Sequence, residues 1–364
     1  MKEEKIEFQT SKDVFYNPAM RLCRSISSLA VGAIGEKIDV IDSFCASGIR
    51  GIRYVKENKN VKHVTFIDIE QKAINLAKKN ASANKLTKTK FEAIRGNVSR
   101  LAFENAADFL EIDPFGTPAP YLVDAFRYFN PKKSAFLSVT ATDVAVLCGG
   151  ITAACMKNYH SKPLNNEFTH ENGLRILIKR IAEVAAEFNM GITPLISFSN
   201  RHYLKTILHV KRGADGAYDS LKKLGYVSFC RQCGFRSHSQ FPQERCTRCK
   251  AKMNYAGPLW FGELHEKEFL KKMAGLNKNR DYSDREEIGK MLSLMEGEIG
   301  MPPYYYDVHA LAKLKKATDV PKLEYIIAAL KSRGYRAVRT HFSPIAIKTG
   351  ATSDAVVQVM GWKD

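Results

Sequence analysis

The chain has 364 residues, of which 45% are hydrophobic and 26% are charged, as in an ordinary globular protein. No run of 18 apolar residues occurs, so the pattern excludes a transmembrane helix. The sequence contains 56 Lys and Arg against 38 Asp and Glu, a formal net charge of +18. An excess of this size favours a polyanionic partner such as a nucleic acid over a merely basic surface.

The beginning of the chain, Met1-Lys2-Glu3-Glu4-Lys5, leads into no apolar signal core. We therefore expect a cytoplasmic protein. Nothing in the sequence indicates an obligate protein partner. The length suggests two domains, or one large domain with an appendage, and either can bury a core.

From residue 37 onward, short apolar segments alternate with helical patterns. This alternation predicts an α/β fold with a mostly parallel sheet and helices on both faces. The predicted strands are 37–44, 61–68, 90–94, 108–112 and 135–140. The predicted helices among them are 49–57, 71–84 and 119–129.

The pattern changes after residue 140. A helix is predicted at 171–188, followed by strands at 192–198 and 203–211. Their short link, Ser199-Asn200-Arg201-His202, predicts a hairpin and an antiparallel end to the sheet. A helical connection is expected at 212–225. The chain becomes helical again from about residue 263, has breaks at Pro302-Pro303 and Pro321, and ends with a strand near 335–340. We expect two domains, 1–265 and a smaller α/β domain at 266–364.

Three strand ends suggest a pocket for a nucleotide-like cofactor. The turn after the first strand, 42–51, contains two glycines that allow close approach of a ligand. Asp68 ends the second strand, where a carboxylate can accept hydrogen bonds from ribose hydroxyls or cap the next helix. Asn97 follows the third strand and can bond an adenine amine or serve as a turn residue.

The fourth strand ends in Asp113-Pro114-Phe115-Gly116, a motif suited to reaction at an aromatic amine. The lone pair of such an amine is delocalised, and a carboxylate that accepts its N–H returns density to the nitrogen. Pro114 stiffens the turn, Phe115 offers a face on which a base can stack, and Gly116 permits close approach. The alternative is an ordinary type I turn. We favour methyl transfer from a positive sulfonium, with Asp113, Pro114 and Phe115 as the catalytic candidates.

Four cysteines form two closely spaced pairs, Cys230-x2-Cys233 and Cys246-x2-Cys249, separated by twelve residues. Two such pairs supply four thiolates, which suit a tetrahedral structural zinc ion in a module at about 228–252. Iron in the same ligand set is the alternative. The basic residues around the module could contact phosphate.

Taken together, these motifs resemble those of one known family, the tRNA guanine-N2 dimethyltransferases, over nearly the whole chain. The segments that carry the resemblance are Val14-Phe15-Tyr16-Asn17-Pro18, Ser47-Gly48-Ile49-Arg50-Gly51, Asp113 to Gly116, Thr140-Ala141-Thr142-Asp143, Cys148-Gly149, His170-Glu171, Gly257-Pro258-Leu259-Trp260, Arg339-Thr340-His341-Phe342 and Ile347-Lys348-Thr349.

The resemblance implies a class I (Rossmann-like) methyltransferase domain at 1–265 and a family-specific, tRNA-binding domain at 266–364. It implies transfer of one or two methyl groups from S-adenosylmethionine to N2 of guanine 26 in tRNA, giving N2-methylguanine and N2,N2-dimethylguanine. The cofactor-binding residues expected from it are Arg24, Arg50, Asp68, Ile69, Asn97 and Val98.

The chain departs from the family pattern at two places. The family has Asn-Arg-Asp where this chain has Cys23-Arg24-Ser25, so a carboxylate beside Arg24 is missing. Asn97 stands where the family usually has Asp. Two other functions stay open from the residues alone. One is methylation of a different amine, such as adenine N6 or a protein side chain, and the other is non-catalytic RNA binding.

Overall fold

The computed structural model of the chain describes residues 1–129, 132–200, 202–317 and 319–361. The N-terminal part forms a hairpin of β1 (Lys2–Glu3) and β2 (Ile6–Glu7). A 3-10 helix at Pro18–Met20 continues directly into α1 (Arg21–Ala33), which is mostly buried. Among the described residues, no helix is long and apolar enough to cross a membrane.

A seven-stranded sheet forms the centre of the molecule. Its strands are β3 (Ile38–Ser43), β4 (Val61–Asp68), β5 (Phe91–Arg95), β6 (Phe109–Ile112), β7 (Ser134–Ala141), β8 (Met190–Asn200) and β9 (Tyr203–Arg212). They lie in the order β5-β4-β3-β6-β7-β9-β8. The first five are parallel, whereas β9 pairs antiparallel with both β7 and β8. The predicted parallel sheet with an antiparallel end is confirmed.

Helices cover both faces of the sheet. They are α2 (Ile49–Glu57), α3 (Gln71–Ala83), α4 (Val98–Leu101), α5 (Leu122–Tyr128), α6 (Val144–Leu147), α7 (Thr152–Tyr159), α8 (Thr169–Glu187) and α9 (Ala214–Leu221). Successive side chains of a strand point to opposite faces. Accordingly, Leu110 belongs to the hydrophobic core on one face and Phe109 to the core on the other.

Two local differences from the sequence prediction have simple causes. The helix predicted at 119–129 begins as a 3-10 helix at Ala119–Tyr121, and the α-helix starts only at Leu122. Pro120 disfavours the α conformation of the residue before it, so the regular helix begins beyond the prolines. The hairpin link is shorter than predicted because β8 continues through Asn200; Arg201 of that link lies outside the described residues.

The cysteine-rich module is a small antiparallel sheet. It consists of β10 (Leu224–Phe229), β11 (Arg236–Ser239) and β12 (Asn254–Trp260), with β10 in the middle. Both edge strands pair antiparallel with β10.

The remainder of the chain is helical, as predicted, and also contains a three-stranded sheet. Its elements are α10 (Lys267–Lys278), α11 (Arg285–Glu298), β13 (Tyr306–Asp307), α12 (Val308–Lys315), α13 (Leu323–Ser332), β14 (Ala337–Arg339), β15 (Ala346–Thr349) and α14 (Ser353–Val359). The strand predicted near 335–340 is present at Ala337–Arg339, but it does not end the chain, because another strand and a helix follow it. Helices α10 and α11 share the hydrophobic core of α1 and β3. Residues between 306 and 360 form a hydrophobic cluster of their own. The domain boundary near residue 265 stays a prediction.

Candidate active site

The order of the strands locates the candidate site. The chain runs outward from β3 through β4 to β5 and then returns to β6, on the other side of β3. In doubly wound sheets, ligands bind at the carboxyl ends of the strands where the order reverses in this way. Here Arg50, on the helix after β3, and Asp113, directly after β6, lie on either side of that point, and their side chains form an ion pair.

The turn that carries Asp113 is held by the neighbouring strand. The Gly116 N–H donates to Thr142 Oγ1 over 2.7 Å, and the Thr142 N–H donates to the Gly116 carbonyl over 3.0 Å. Gly116 has φ +78°, a left-handed conformation that favours glycine. Among the described residues, and apart from Gly116 and its two chain neighbours, no atom lies within 4 Å of the place where a Cβ would stand on it. The Asp113 turn is therefore anchored from one side and open on the other.

Two aromatic rings stand exposed beside this turn. Phe115 is 75% exposed and Phe15 is 55% exposed. Their ring centroids lie 4.6 Å apart, with an interplanar angle of 84°. Two exposed rings in contact form a joint apolar surface that a ligand could cover. Phe15 was part of a sequence motif but was not predicted as a site residue, because only the fold brings it 100 positions along the chain to Phe115.

A buried network of charges lies beneath Asp113. Glu111 is fully buried, forms an ion pair with Lys205, and accepts a hydrogen bond from the Tyr54 hydroxyl over 2.7 Å. Arg50 Nη1 is 3.8 Å from Glu111 Oε1. Burial alone would raise the pKa of Glu111, but the charges of Arg50 and Lys205 outweigh it, and the pKa lies below its ordinary value. Glu111 thus stays ionised and holds Arg50 in place.

This network was missed by the sequence reasoning. A signal was present, since Glu111 interrupts an apolar strand and a lone charge in such a strand needs a buried partner. The partner, Lys205, comes from an antiparallel strand 94 positions away. Only the folded structure identifies Lys205 as the partner of Glu111.

Asp68 and Ile69 lie at the end of β4, as predicted. The Asp68 carboxylate accepts the N–H groups of Ala46 and Glu70, each over 3.0 Å, so it also organises the turn after β3. Ile69 is 58% exposed. The edge therefore presents an immobilised carboxylate beside an exposed apolar side chain, which suits the ribose and the base of a nucleoside.

Asn97 caps α4. Its amide oxygen accepts the Ser99 N–H over 2.8 Å and the Arg100 N–H over 3.4 Å. This is the turn role that the sequence left open. The amide oxygen is occupied by these two backbone bonds and is not the group that would accept a hydrogen bond from an adenine amine. The amide N–H2 is the group left for a ligand, so an adenine ring nitrogen is the better-matched partner. Val98 follows in the first turn of α4 and is buried.

Arg24 is buried in α1 and pairs with Glu3. Its Nε donates to Glu3 Oε1 over 2.8 Å, and its Nη2 donates to the Asn17 carbonyl over 3.2 Å. Glu3 also accepts from Arg53 over 2.9 Å. The family pattern has a carboxylate directly after the arginine, and this chain lacks it. Glu3 of the N-terminal hairpin supplies a carboxylate to Arg24 instead. Much of the donor capacity of Arg24 is used within the protein.

The four clustered cysteines come together as predicted. Cys230 Sγ lies 3.4 Å from Cys249 Sγ, and Cys233 Sγ lies 3.6 Å from Cys246 Sγ. All four sulfur atoms lie within 4.8 Å of one another. The separations exceed the ~2.05 Å of a disulfide and approach the roughly 3.8 Å expected between thiolates around one tetrahedral zinc ion.

The two cysteine pairs have matching backbone turns. The Gly234 N–H donates to the Cys230 carbonyl over 2.9 Å, and the Lys250 N–H donates to the Cys246 carbonyl over 3.0 Å. Both donors have positive φ, +74° for Gly234 and +64° for Lys250. Two equivalent turns facing each other form a closed four-thiol cluster that could hold a metal ion.

The sheet and the site at its reversal point define a Rossmann-like methyltransferase. A family model described as "N2,N2-dimethylguanosine tRNA methyltransferase" matches residues 1–361, and the chain belongs to that family. It is 35% identical over 355 residues to a protein of Methanobrevibacter smithii named tRNA (guanine(26)-N(2))-dimethyltransferase, covering 95% of this chain and 91% of that protein. A Thermococcus kodakarensis protein of the same name is 36% identical over 362 residues, covering 95% and 93%.

One solved structure is similar over nearly its whole length. It is described as a complex of Trm1 from Pyrococcus horikoshii with S-adenosyl-L-methionine. The TM-score is 0.90 at 33% sequence identity, and the match covers 99% of each chain.

Proposed function

We propose that this protein transfers one or two methyl groups from S-adenosylmethionine to N2 of guanine 26 in tRNA. The observation that carries the proposal is the placement of Asp113, at the reversal point of the sheet, beside the exposed rings of Phe15 and Phe115. A flipped base needs an aromatic surface, and its amine needs an acceptor. Family membership and the named relatives support guanine N2 as that amine and tRNA as its carrier.

The cofactor would lie along the carboxyl ends of β3, β4 and β5. Asp68 would accept the ribose hydroxyls, Ile69 and Val98 would flank the base, and the Asn97 amide would donate to it. Arg24 and Arg50 would act near the amino-acid portion, Arg50 from its place between Glu111 and Asp113. S-adenosylmethionine supplies the methyl group as a positively charged sulfonium.

Asp113 has two tasks in this mechanism. Its carboxylate accepts one N–H of the guanine amine, which turns the nitrogen lone pair toward the methyl group. Its negative charge then stabilises the positive charge that develops on the nitrogen. Arg50 orients Asp113 through their ion pair, so the carboxylate is placed to act as an acceptor and a countercharge. The amine proton leaves by way of Asp113 or solvent, and the sulfur departs as a neutral thioether.

We further propose that Cys230, Cys233, Cys246 and Cys249 hold a structural zinc ion, and that the domain at 266–364 binds tRNA. The sulfur separations and the two matching turns support a closed tetrahedral site without an open coordination position. The formal net charge of +18 supports contact with a nucleic acid.

The decisive experiment is incubation of a tRNA transcript with methyl-labelled S-adenosylmethionine, followed by nucleoside analysis. We expect N2-methylguanosine and N2,N2-dimethylguanosine from a transcript with guanine 26, and neither from a transcript with adenine there. Asp113→Asn should reduce turnover by roughly 100- to 10,000-fold while cofactor binding is retained. Label in another nucleoside, or near-normal turnover of the variant, would overturn the assignment.

A further inference from the structure

Asp143 stands one strand away from Asp113 at the same edge of the sheet. Strand β7 lies next to β6 and parallel to it, with Val139 opposite Ile112. Asp113 directly follows β6, and Asp143 follows the end of β7 by two residues. Neighbouring strands are about 4.8 Å apart, so Asp113 and Asp143 stand at neighbouring positions of one sheet edge. The mechanism derived so far uses only one of them.

Two routes tie Asp143 to the catalytic turn. The backbone and side chain of Thr142 bond Gly116, as described above. In addition, the Thr117 hydroxyl donates to the Tyr159 hydroxyl over 2.8 Å. Tyr159 donates in turn to the Asp143 carboxylate, at 2.8 Å from Oδ1 and 2.9 Å from Oδ2. The carboxylate is therefore held in a defined position relative to Asp113.

The carboxylate of Asp143 has acceptor capacity left over. Asp143 is the N-cap residue of α6, yet its side chain makes no capping hydrogen bond. The single proton of the Tyr159 hydroxyl serves both oxygens, whereas an ionised carboxylate offers about four lone-pair sites. Desolvation by burial raises the pKa of Asp143, despite the hydrogen bonds from Tyr159 and from its own backbone N–H. A partly buried carboxylate with so few donors is suited to accept a donor from a ligand.

We propose that Asp143 accepts the N1–H of the target guanine and thereby selects guanine among the bases. This inference rests on the proposed function. The Watson–Crick edge of guanine carries N1–H and the N2 amine side by side, so two carboxylates at neighbouring strand ends match two neighbouring donors. Adenine has a lone pair at N1, which would face the negative charge of Asp143. Asp143 thus sets specificity, while Asp113 serves the reacting amine.

The test uses tRNA transcripts with guanine or 2-aminopurine at position 26. 2-Aminopurine keeps the N2 amine but has no hydrogen at N1. A site built to accept a hydrogen bond rejects an analogue that lacks the donor, so the wild-type protein should prefer guanine by about 100-fold or more in kcat/KM. Asp143→Asn places an amide there, whose N–H2 can donate to N1 of 2-aminopurine. The preference for guanine should then fall at least about 10-fold.

Two further variants separate recognition from folding. Tyr159→Phe removes the hydroxyl that orients Asp143 and should also lower the preference, without changing the charge. Asp108→Asn is the matched control, because Asp108 is a half-buried carboxylate at the opposite end of β6, bonded to the Asp39 N–H and to Lys132. It should leave the preference unchanged.

An unchanged preference in both Asp143→Asn and Tyr159→Phe would overturn the inference, even if overall activity falls. Inactivity of Asp143→Asn on the 2-aminopurine transcript would also count against it, since that variant is expected to accept the analogue. Failure of the proposed function gives a different result, namely no methylation of the guanine transcript by the wild-type protein.

Discussion

At the scale of single residues, the site depends on a few side chains whose surroundings differ from what their types prefer. Phe15 and Phe115 are apolar and exposed, whereas Glu111 and Lys205 are charged and fully buried. Exposed rings cost solvation unless a ligand covers them, and buried charges require exact pairing with opposite charges. Around Asp113 both features occur together, as the candidate site requires.

Replacing Phe115 with Leu should lower kcat/KM for tRNA more than it lowers kcat/KM for S-adenosylmethionine. Stacking of a base on an aromatic ring contributes roughly 1–3 kcal/mol, so kcat/KM for tRNA should fall about 5- to 150-fold. Phe115→Tyr keeps the ring and serves as the control. Steady-state kinetics with tRNA and with S-adenosylmethionine varied in turn measure the two effects. An equal loss for Leu and Tyr would contradict stacking.

The buried carboxyl of Asp42 should make stability depend on pH. Asp42 is fully buried, and desolvation raises its pKa from 3.8 to about 7. Its folded pKa therefore exceeds its unfolded pKa, so the folded state binds the proton more tightly. The stabilisation this provides is complete below pH 4 and is lost as the pH rises toward 7.

Three pKa units correspond to roughly 4 kcal/mol at most. In Asp42→Asn, the uncharged amide can no longer titrate, so this part of the pH dependence should disappear. Urea unfolding between pH 5 and 8.5 measures the difference between the variant and the wild type. Parallel stability curves for the two proteins would show that Asp42 does not titrate in this range.

At the scale of elements, each functional group lies at the end of a strand or in a turn that other elements support. The β7 end holds the Asp113 turn through Thr142, and the Asp68 carboxylate at the end of β4 holds the turn after β3. The cysteine module depends on its two matching turns in the same way. Its cluster of buried hydrophobic residues contains only Cys230, Cys246 and Met253. A bound metal ion would add stability to so small a cluster.

Metal removal should therefore unfold this module selectively. We expect about one zinc ion per chain, and close to none in Cys230→Ser or Cys249→Ser. Chelation should lower the melting temperature and weaken tRNA binding. Cys155→Ser is a suitable control, because Cys155 is a free buried cysteine in α7, outside the cluster. Unchanged melting and tRNA binding after complete metal removal would refute a structural role.

At the scale of the whole molecule, buried charges join the C-terminal elements to the methyltransferase sheet. Lys348 Nζ lies 3.1 Å from Glu171 Oε1, on α8, and 2.8 Å from Glu298 Oε2, on α11. Glu171 also pairs with Arg175, and Glu298 accepts from His341. These side chains are almost fully buried. The network fixes the C-terminal strands against the helix that packs on the sheet.

Lys348→Met should be strongly destabilising, by about 3–5 kcal/mol, because it leaves two carboxylates buried without their shared cation. Lys271→Met provides the comparison. Lys271 forms an exposed pair with Glu268 on the surface of α10, and its loss should change the free energy of unfolding little, because water screens the pair. Denaturant unfolding of both variants measures the contrast. Equal small effects would show that the buried network contributes no net stability.

Binding of tRNA should be strongly dependent on salt. If six or more phosphates are contacted, affinity should fall about 1,000-fold or more between 50 and 200 mM salt. Binding isotherms over that range give the number of phosphate contacts from the slope. A nearly flat dependence would mean that the basic surface does not engage the phosphate backbone.

The sequence by itself determined the class of fold, the Asp113 turn, the Asp68 strand end and the four-cysteine cluster. All of these follow from local patterns: apolar periodicity, turn residues at strand ends and the spacing of ligands. The tertiary structure alone decided that Phe15 meets Phe115, that Glu3 pairs with Arg24, that Lys205 supports Glu111 and that Asp143 stands beside Asp113. The reason is physical, since these contacts join residues from different elements, and only the order and direction of the packed strands bring them together.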